Sequence, residues 1–393
     1  LETRNPNDLL TYKRFDVVIK YLYASNLSSN FYKNAYKEHI RVWNNFREGI
    51  PPKRGFGDFD TAFKSIINNN VTEPVPVNKE GHIPNGAHRL AAALYHQRPI
   101  NVRDTNEKEN YTIIADYKYF SRKGLSQSIM KRTALEYAKL KSNTHVICLF
   151  PIAHTRINEV MDIINKYSNI FYQSSENLNP IGQLGLMKEI YFSELKNQNA
   201  WANQEGIRRK GNQCFGGNTN VTFVLVDAKD IETVKEMKNK IRALFNVGNH
   251  SVHINDTHEE TIRISKTVFN DNSIHFLNNR KDALFSNYRK LIDSSEPNDN
   301  TVITGSTVLS LYGLRDCKDL DLIYHDNAPS DSHNQYLETH YMLTLDDIFN
   351  DPQYHLYYNG FKYVSLDVIK NMKKMRNEPK DIIDVQLIET IKK

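Results

Sequence analysis

Cysteine is scarce in this chain. Cys148, Cys214 and Cys317 are its only three and stand far apart among 393 residues, so neither a disulfide framework nor a cysteine-based zinc site is indicated, and a reducing, cytoplasmic setting is expected. No run of about 18 apolar residues and no charged-then-apolar leader occurs, which argues against a membrane span or a secretory signal. Internal repeats and low-complexity tracts are also missing. Charge of one sign is weak: 51 basic against 46 acidic residues leave +5, compatible with anionic ligands but far from the basic stripe of a nucleic-acid-binding protein. The chain opens on Leu1 rather than Met, so a longer parent polypeptide is expected.

What remains is the composition of a folded protein, 39% hydrophobic and 25% charged, in a chain too long for one ordinary core. Two or three domains of mixed α/β (α+β) structure are expected, with boundaries at 1–140, 141–276 and 277–393. The first region opens with helical spacing at Phe15, Val18, Ile19, Leu22 and Tyr23, and again at Tyr36, Ile40, Trp43 and Phe46, until Pro51-Pro52 interrupts it. Phe59 to Ile67 resumes the helical pattern, and Val75-Pro76-Val77 reads as an edge strand. The second region begins with the strand 146–150, then a helix over Ile157 to Tyr167, a strand over Val221 to Val226 and a helix over Lys229 to Leu244. Strand-then-helix order is the signature of α/β layers. The third region adds a strand over Tyr363 to Leu366 and helices over Asp367 to Met375 and Asp381 to Ile391.

Three constellations carry chemistry. In the third region TVITGSTVLSLYGLRDCKDLDLIYH gives a strand, a Gly305-Ser306 bend, a helix and a second strand with Asp319 and Asp321. Residues two apart in a strand face one side, about 6 to 7 Å apart, and two such carboxylates repel unless a divalent cation lies between them. The pattern resembles the nucleotidyltransferase superfamily. That resemblance implies a phosphate cradle at Gly305 and Ser306, and Mg²⁺ or Mn²⁺ on Asp319 and Asp321, with Asp321 catalytic. The downstream Arg376, Lys380, Asp381 and Asp384 look like the helical close of bacterial members. The third acid usual there is open between Asp346, Asp347 and Asp367. Without the family, Asp319 and Asp321 read as a solvated strand edge and Gly-Ser as a helix cap.

In the first region, Gly81-His82-Ile83-Pro84-Asn85-Gly86-Ala87-His88-Arg89 runs into an Ala-rich helix and the strand Ile100-Asn101-Val102. This resembles the ParB/sulfiredoxin superfamily over about 30 residues, which implies nucleotide-phosphate binding through Gly86, His88 and Arg89; Asn85 stands where that family usually has Asp. The plain reading is a capped helix. Yet two basic residues in a first helical turn oppose the helix dipole, and a bound anion would resolve the conflict. Lys13-Arg14-Phe15-Asp16 reads as a solvated ion pair.

The middle region holds Trp201, a glycine-bounded loop with Arg208, Arg209 and Lys210, then Lys238, Lys240 and Arg242, and the strand end Ser251 to Asp256. Arg208, Arg209 and Lys210 are expected to neutralise a diphosphate or acidic donor, with His253 or Asp256 as base. Capping alone accounts for Asp256 and Glu259.

Together these readings lead to a metal-dependent transferase using a nucleotide or nucleotide-linked donor on a small-molecule or sugar acceptor, in glycan or polysaccharide biosynthesis. The alternatives are a sugar-nucleotide glycosyltransferase and a nucleotide-gated binding or regulatory protein. No membrane span and no nucleic-acid partner are expected.

Overall fold

The computed structural model describes residues 2–44, 55–69, 73–283 and 285–391; the expected break at Pro51-Pro52, and Phe46, lie outside the described residues. The architecture is mixed α/β, with several small sheets among many helices. It divides into two compact units, one of residues 1–142, 169–172 and 225–227, the other of 143–168, 173–224 and 228–393.

The first unit builds a three-stranded sheet from β1 (Glu2–Arg4), β2 (Val75–Val77) and β3 (Ile100–Asp104) in the order β1-β3-β2, with β2 parallel and β1 antiparallel to β3. Pro76 has no N–H to donate, and β2 is an edge strand, where that loss is tolerated. Helices Phe15–Ser25, Asn30–Asn44 and Ala87–Tyr95 bury their apolar faces. Tyr23 stacks on Tyr36 with centroids 4.9 Å apart, and Phe63 lies 5.6 Å from Tyr36. The ion pair at the start of the first of these helices is buried rather than solvated. Asp16, 1% exposed, accepts from Arg14 Nε at 2.9 Å and from Lys20 Nζ at 2.7 Å. Burial alone would raise this carboxyl, but the two cations hold it well below its ordinary value.

The second unit contains one complete four-stranded sheet and, apart from residues 169–172 and 225–227, a second. One has the order β5-β6-β4-β7, from β4 (Thr144–Leu149), β5 (Ser168–Asn177), β6 (Asn220–Ala228) and β7 (Val252–Ile254). The other has the order β10-β11-β8-β9, from β8 (Thr301–Thr304), β9 (Asp321–Tyr324), β10 (His355–Tyr358) and β11 (Phe361–Val364). The β10–β11 hairpin turns at Asn359 and Gly360, both at positive φ (49° and 82°), as a two-residue hairpin turn requires.

Polar bonds join the second and third expected regions across residue 276. Glu189, fully buried, accepts from Arg263 at 2.8 Å, from Thr267 at 3.1 Å and from the hairpin N–H of Asn359 at 2.7 Å. Ser273, on helix Asp271–Asn279, accepts from the Tyr357 N–H at 2.7 Å. Removing Arg263 would leave the buried carboxylate without its cation, and removing the Ser273 hydroxyl would strand a strand N–H, at a cost of about 1–3 kcal/mol or more. No division between the two compact units falls at residue 276.

Candidate functional site

The register of β8 against β9 places Thr304 opposite Asp321. The residue after Thr304 is Gly305, at φ +64°, and a Cβ on it would fall 1.9 Å from Asp321 Oδ2. Glycine is thus required twice at this bend, for its backbone angle and because the carboxylate fills the space a side chain would need. Ser306 opens the short helix Ser306–Leu311. Asp321, which the sequence pairs with Asp319, is met by a residue the sequence did not single out: His333 Nε2 lies 3.2 Å from its Oδ1.

Beyond it, His333 Nδ1 is 2.8 Å from Tyr341 Oη, which is 2.6 Å from Thr304 Oγ1. If His333 donates from Nε2 to Asp321, Nδ1 accepts from Tyr341 and Tyr341 accepts from Thr304, so the chain has one consistent direction. Burial raises the Tyr341 phenol well above its ordinary value, keeping it a neutral donor. Asp319 is exposed, with its backbone carbonyl held by Thr307 Oγ1 at 3.1 Å.

The competing third acids are placed elsewhere. Asp347 closes a capping box with Thr344, Asp346 accepts from Asn350 at 2.7 Å, and Asp367 is an exposed first-turn residue. Among the described residues no group of three or more His, Cys, Asp or Glu is placed to hold a metal ion. The basic close is an internal clamp. Lys373, 2% exposed, lies 2.6 Å from Asp384 and 3.2 Å from Asp381; Arg376 reaches Asp381 at 2.7 Å, and Arg315 binds Asp384 through two nitrogens. Burial opposes ionisation of Asp381, but Arg376, the Glu378 N–H and Lys373 outweigh it and hold the carboxyl down to about 2. Lys380 faces outward to Glu378 at 3.0 Å.

In the first unit Gly86 takes φ +96°, and a Cβ there would meet Val75 Cγ1 at 2.9 Å. Both basic residues of the helix start have partners within the protein. Tyr36 Oη lies 2.8 Å from His88 Nε2, and burial pushes His88 well below its ordinary value, so it is neutral. Arg89 donates to the carbonyls of Glu73 and Pro74 at 3.2 and 3.0 Å, tying the helix to the approach of β2. Asn85 is exposed and accepts from the next N–H.

In the middle region the expected glycine-bounded loop is the helix Gln204–Phe215. Gly206 and Gly211 are packing positions within it: a Cβ on Gly206 would fall 1.8 Å from the Trp201 carbonyl, and one on Gly211 3.3 Å from Met187. Helical rotation of about 100° per residue separates the three cations. Arg208 and Arg209 are exposed, Arg208 pairing with Asp282 at 3.2 Å, whereas Lys210 is 9% exposed and bound to Asn249 and His250. The N-cap after β7 is Thr257, closed by Glu260, while Asp256 pairs with Lys238 at 3.0 Å. His253 packs against Tyr191 with centroids 5.2 Å apart, and Tyr191 against Trp201 at 5.0 Å. Burial, with Lys238, Arg242 and Lys210 nearby, pushes His253 down to about 3. A base held that low is a poor proton acceptor near pH 7. Its Nε2 is buried without a partner. A hollow of about 400 Å³ lined by Pro151, Ile152, Cys214, Val247 and Asn220, among others, carries no charged residue in its lining.

No family model matches the chain, and neither a curated protein nor a solved structure matches it. No helix among the described residues is long and apolar enough to cross a membrane.

Proposed function

We propose that the chain is a transferase acting on a nucleotide or nucleotide-linked donor at the Gly305–Asp321 bend, passing a phosphoryl or nucleotidyl group to a small-molecule or sugar acceptor, as in glycan biosynthesis. The observation that carries this reading is the seat of Asp321, whose carboxylate occupies the place of the Gly305 side chain beside a strand-to-helix bend. An acid held there faces the space where backbone N–H groups attract phosphate. His333, itself held by Tyr341, fixes the orientation of the acid.

Asp319 and Asp321 would hold Mg²⁺ or Mn²⁺, whose chemistry is to neutralise phosphate charge. Two carboxylates without a third protein ligand suit a cation that takes its remaining ligands from donor phosphates and water. The residues of the bend then orient the donor: Gly305 permits close approach, and Ser306 presents the first N–H of its helix. The reading of the protein as a nucleotide-gated regulator through its first unit loses ground, because His88 and Arg89 are already engaged internally.

The test incubates the whole chain with each nucleoside triphosphate and each sugar nucleotide, with and without Mg²⁺ or Mn²⁺, plus candidate sugars, and reads the products by mass spectrometry. Pyrophosphate with a nucleotidyl product, or nucleoside diphosphate with a phosphorylated product, is expected, with loss of at least about a hundredfold in Asp321→Asn. Nucleoside diphosphate with a glycan would make it a glycosyltransferase. If every donor survives intact, the transferase reading fails.

A further inference from the structure

Two cations in the second unit, Lys210 and Arg242, have no ion pair among the described residues. Lys210 is nine-tenths buried, and its ammonium meets only neutral groups: Asn249 Oδ1 at 2.6 Å, the Asn249 carbonyl at 3.3 Å and His250 Nδ1 at 3.0 Å. Arg242, in the last turn of helix Ile231–Ala243, is half-buried, with its Nε shielded from solvent and bonded to nothing. Among the described residues no carboxylate lies within ion-pairing distance of either, whereas Lys238 has Asp256 and Arg208 has Asp282. The two charges nevertheless act on the same neighbours. Burial lowers His250, and Lys210 and Arg242 lower it further; burial also lowers Lys210, and the charge of Arg242 adds to that.

The hydrogen bonds settle which groups are free to bind. An ammonium can only donate, so His250 Nδ1 accepts from Lys210 and the ring proton sits on Nε2, which becomes a donor. Lys210 has committed its three protons and contributes field and tautomer rather than contact. Arg242 keeps a planar fork of donors suited to two oxygens of one anion. On the strand segment that follows, Ser251 is fully buried with its Oγ unpartnered, and His253 Nε2 is likewise shielded without a partner. Cys214 lies 3.9 Å from His250 Nδ1 and also lines the uncharged hollow. Two uncompensated cations beside orphaned donors are costly in a bare protein, and an anion relieves both costs at once.

We propose that Arg242 and His250, positioned and reinforced by Lys210, form a binding site for the phosphate group of a phosphorylated small molecule. This site shares no residue with the Gly305–Asp321 bend and does not depend on transfer chemistry there. Free phosphate, pyrophosphate and a nucleotide share the recognised group.

The test is calorimetric titration of the full chain, in phosphate-free chloride buffer, with inorganic phosphate, pyrophosphate and adenosine monophosphate, beside thermal unfolding without ligand. Saturable binding is expected, weakened at least about tenfold in Arg242→Gln by loss of a charged hydrogen-bonding partner. Because that variant removes an unpaired charge, it is expected to unfold at a temperature equal to or above that of the parent in the absence of ligand. Lys210→Met should weaken binding similarly; if it fails to fold, Arg242→Gln carries the test alone. Tighter binding of the nucleotide than of pyrophosphate would identify a nucleotide as the source, and the reverse an unadorned diphosphate. Absence of saturable binding by the parent chain overturns the proposal. So does binding that survives Arg242→Gln undiminished, since the anion would then lie elsewhere.

Discussion

At Gly86 the neighbour that excludes a side chain is apolar, a methyl of Val75, while at Gly305 it is the charged carboxylate of Asp321. Both glycines sit at positive φ ahead of a helix, and both bends carry polar residues that an anion or cation would engage. The first bend closes on the protein: Arg89 caps carbonyls and His88 is neutral beside Tyr36. The second keeps a half-buried acid beside the helix start, aimed by His333. A glycine in such a bend therefore establishes only that something comes close. What comes close decides whether the bend is a joint or a site.

Substituting each glycine by alanine separates the two cases. Gly305→Ala combines the strain of a left-handed residue with a collision against Asp321, a loss of about 3 kcal/mol in urea unfolding. Gly86→Ala meets a methyl at 2.9 Å, which has room to shift, and should lose about 1–2 kcal/mol. Only Gly305→Ala should also displace Asp321 and abolish transfer. Equal losses, or activity retained in Gly305→Ala, would erase the distinction.

Acid should act on the region of the second bend through its clamp. Asp381 is held down to about 2, below the ordinary unfolded value near 4, so its contribution is complete above about pH 4 and disappears as pH falls toward 2. The linkage amounts to about 2 kcal/mol. Urea midpoints measured at pH 5, 4 and 3 should fall accordingly, and the slope should flatten in Asp381→Asn. An unchanged slope would mean that the clamp of Lys373, Arg376 and Arg315 contributes nothing through this carboxylate.

The parts of these sites that could be read from sequence were those set by short-range register. Gly305 and Asp321 face one another because β8 and β9 are adjacent antiparallel strands joined through one short helix, a distance that strand periodicity spans. His333 and Tyr341 follow β9 on a short 3₁₀ turn and a π-helical turn without regular apolar spacing, so no periodic signal announced them. The stretch from Gly206 to Gly211 misled in the opposite way. Glycine suggests a loop from sequence, but here its small size lets the Trp201 carbonyl and Met187 approach a helix. The lack of an ion pair at Arg242 was equally invisible, since it depends on no other described element bringing a carboxylate to it. Buried polar bonds through Glu189 and Ser273, between residues far apart in sequence, likewise hid the union of the two sheets.

The smallest expected effect sharpens the comparison from the side of the first bend. Arg89 spends one guanidinium nitrogen, Nη1, on the carbonyls of Glu73 and Pro74, with the Glu73 carboxylate 3.6 Å away and exposed. Arg89→Gln keeps a donor of shorter reach, so the loss should be about 1 kcal/mol, the size of one or two partly exposed hydrogen bonds. Burial lowers Arg89 from its ordinary value, but a guanidinium remains charged across the accessible pH range, so the loss should not vary between pH 6 and 8. Nucleotide retention by the chain should be the same in parent and variant if the hold of the two carbonyls on Nη1 keeps the guanidinium from phosphate. A tenfold fall in retention with unchanged stability would make the first bend a binding site after all, with its contacts to the carbonyls merely the resting position of a mobile clamp.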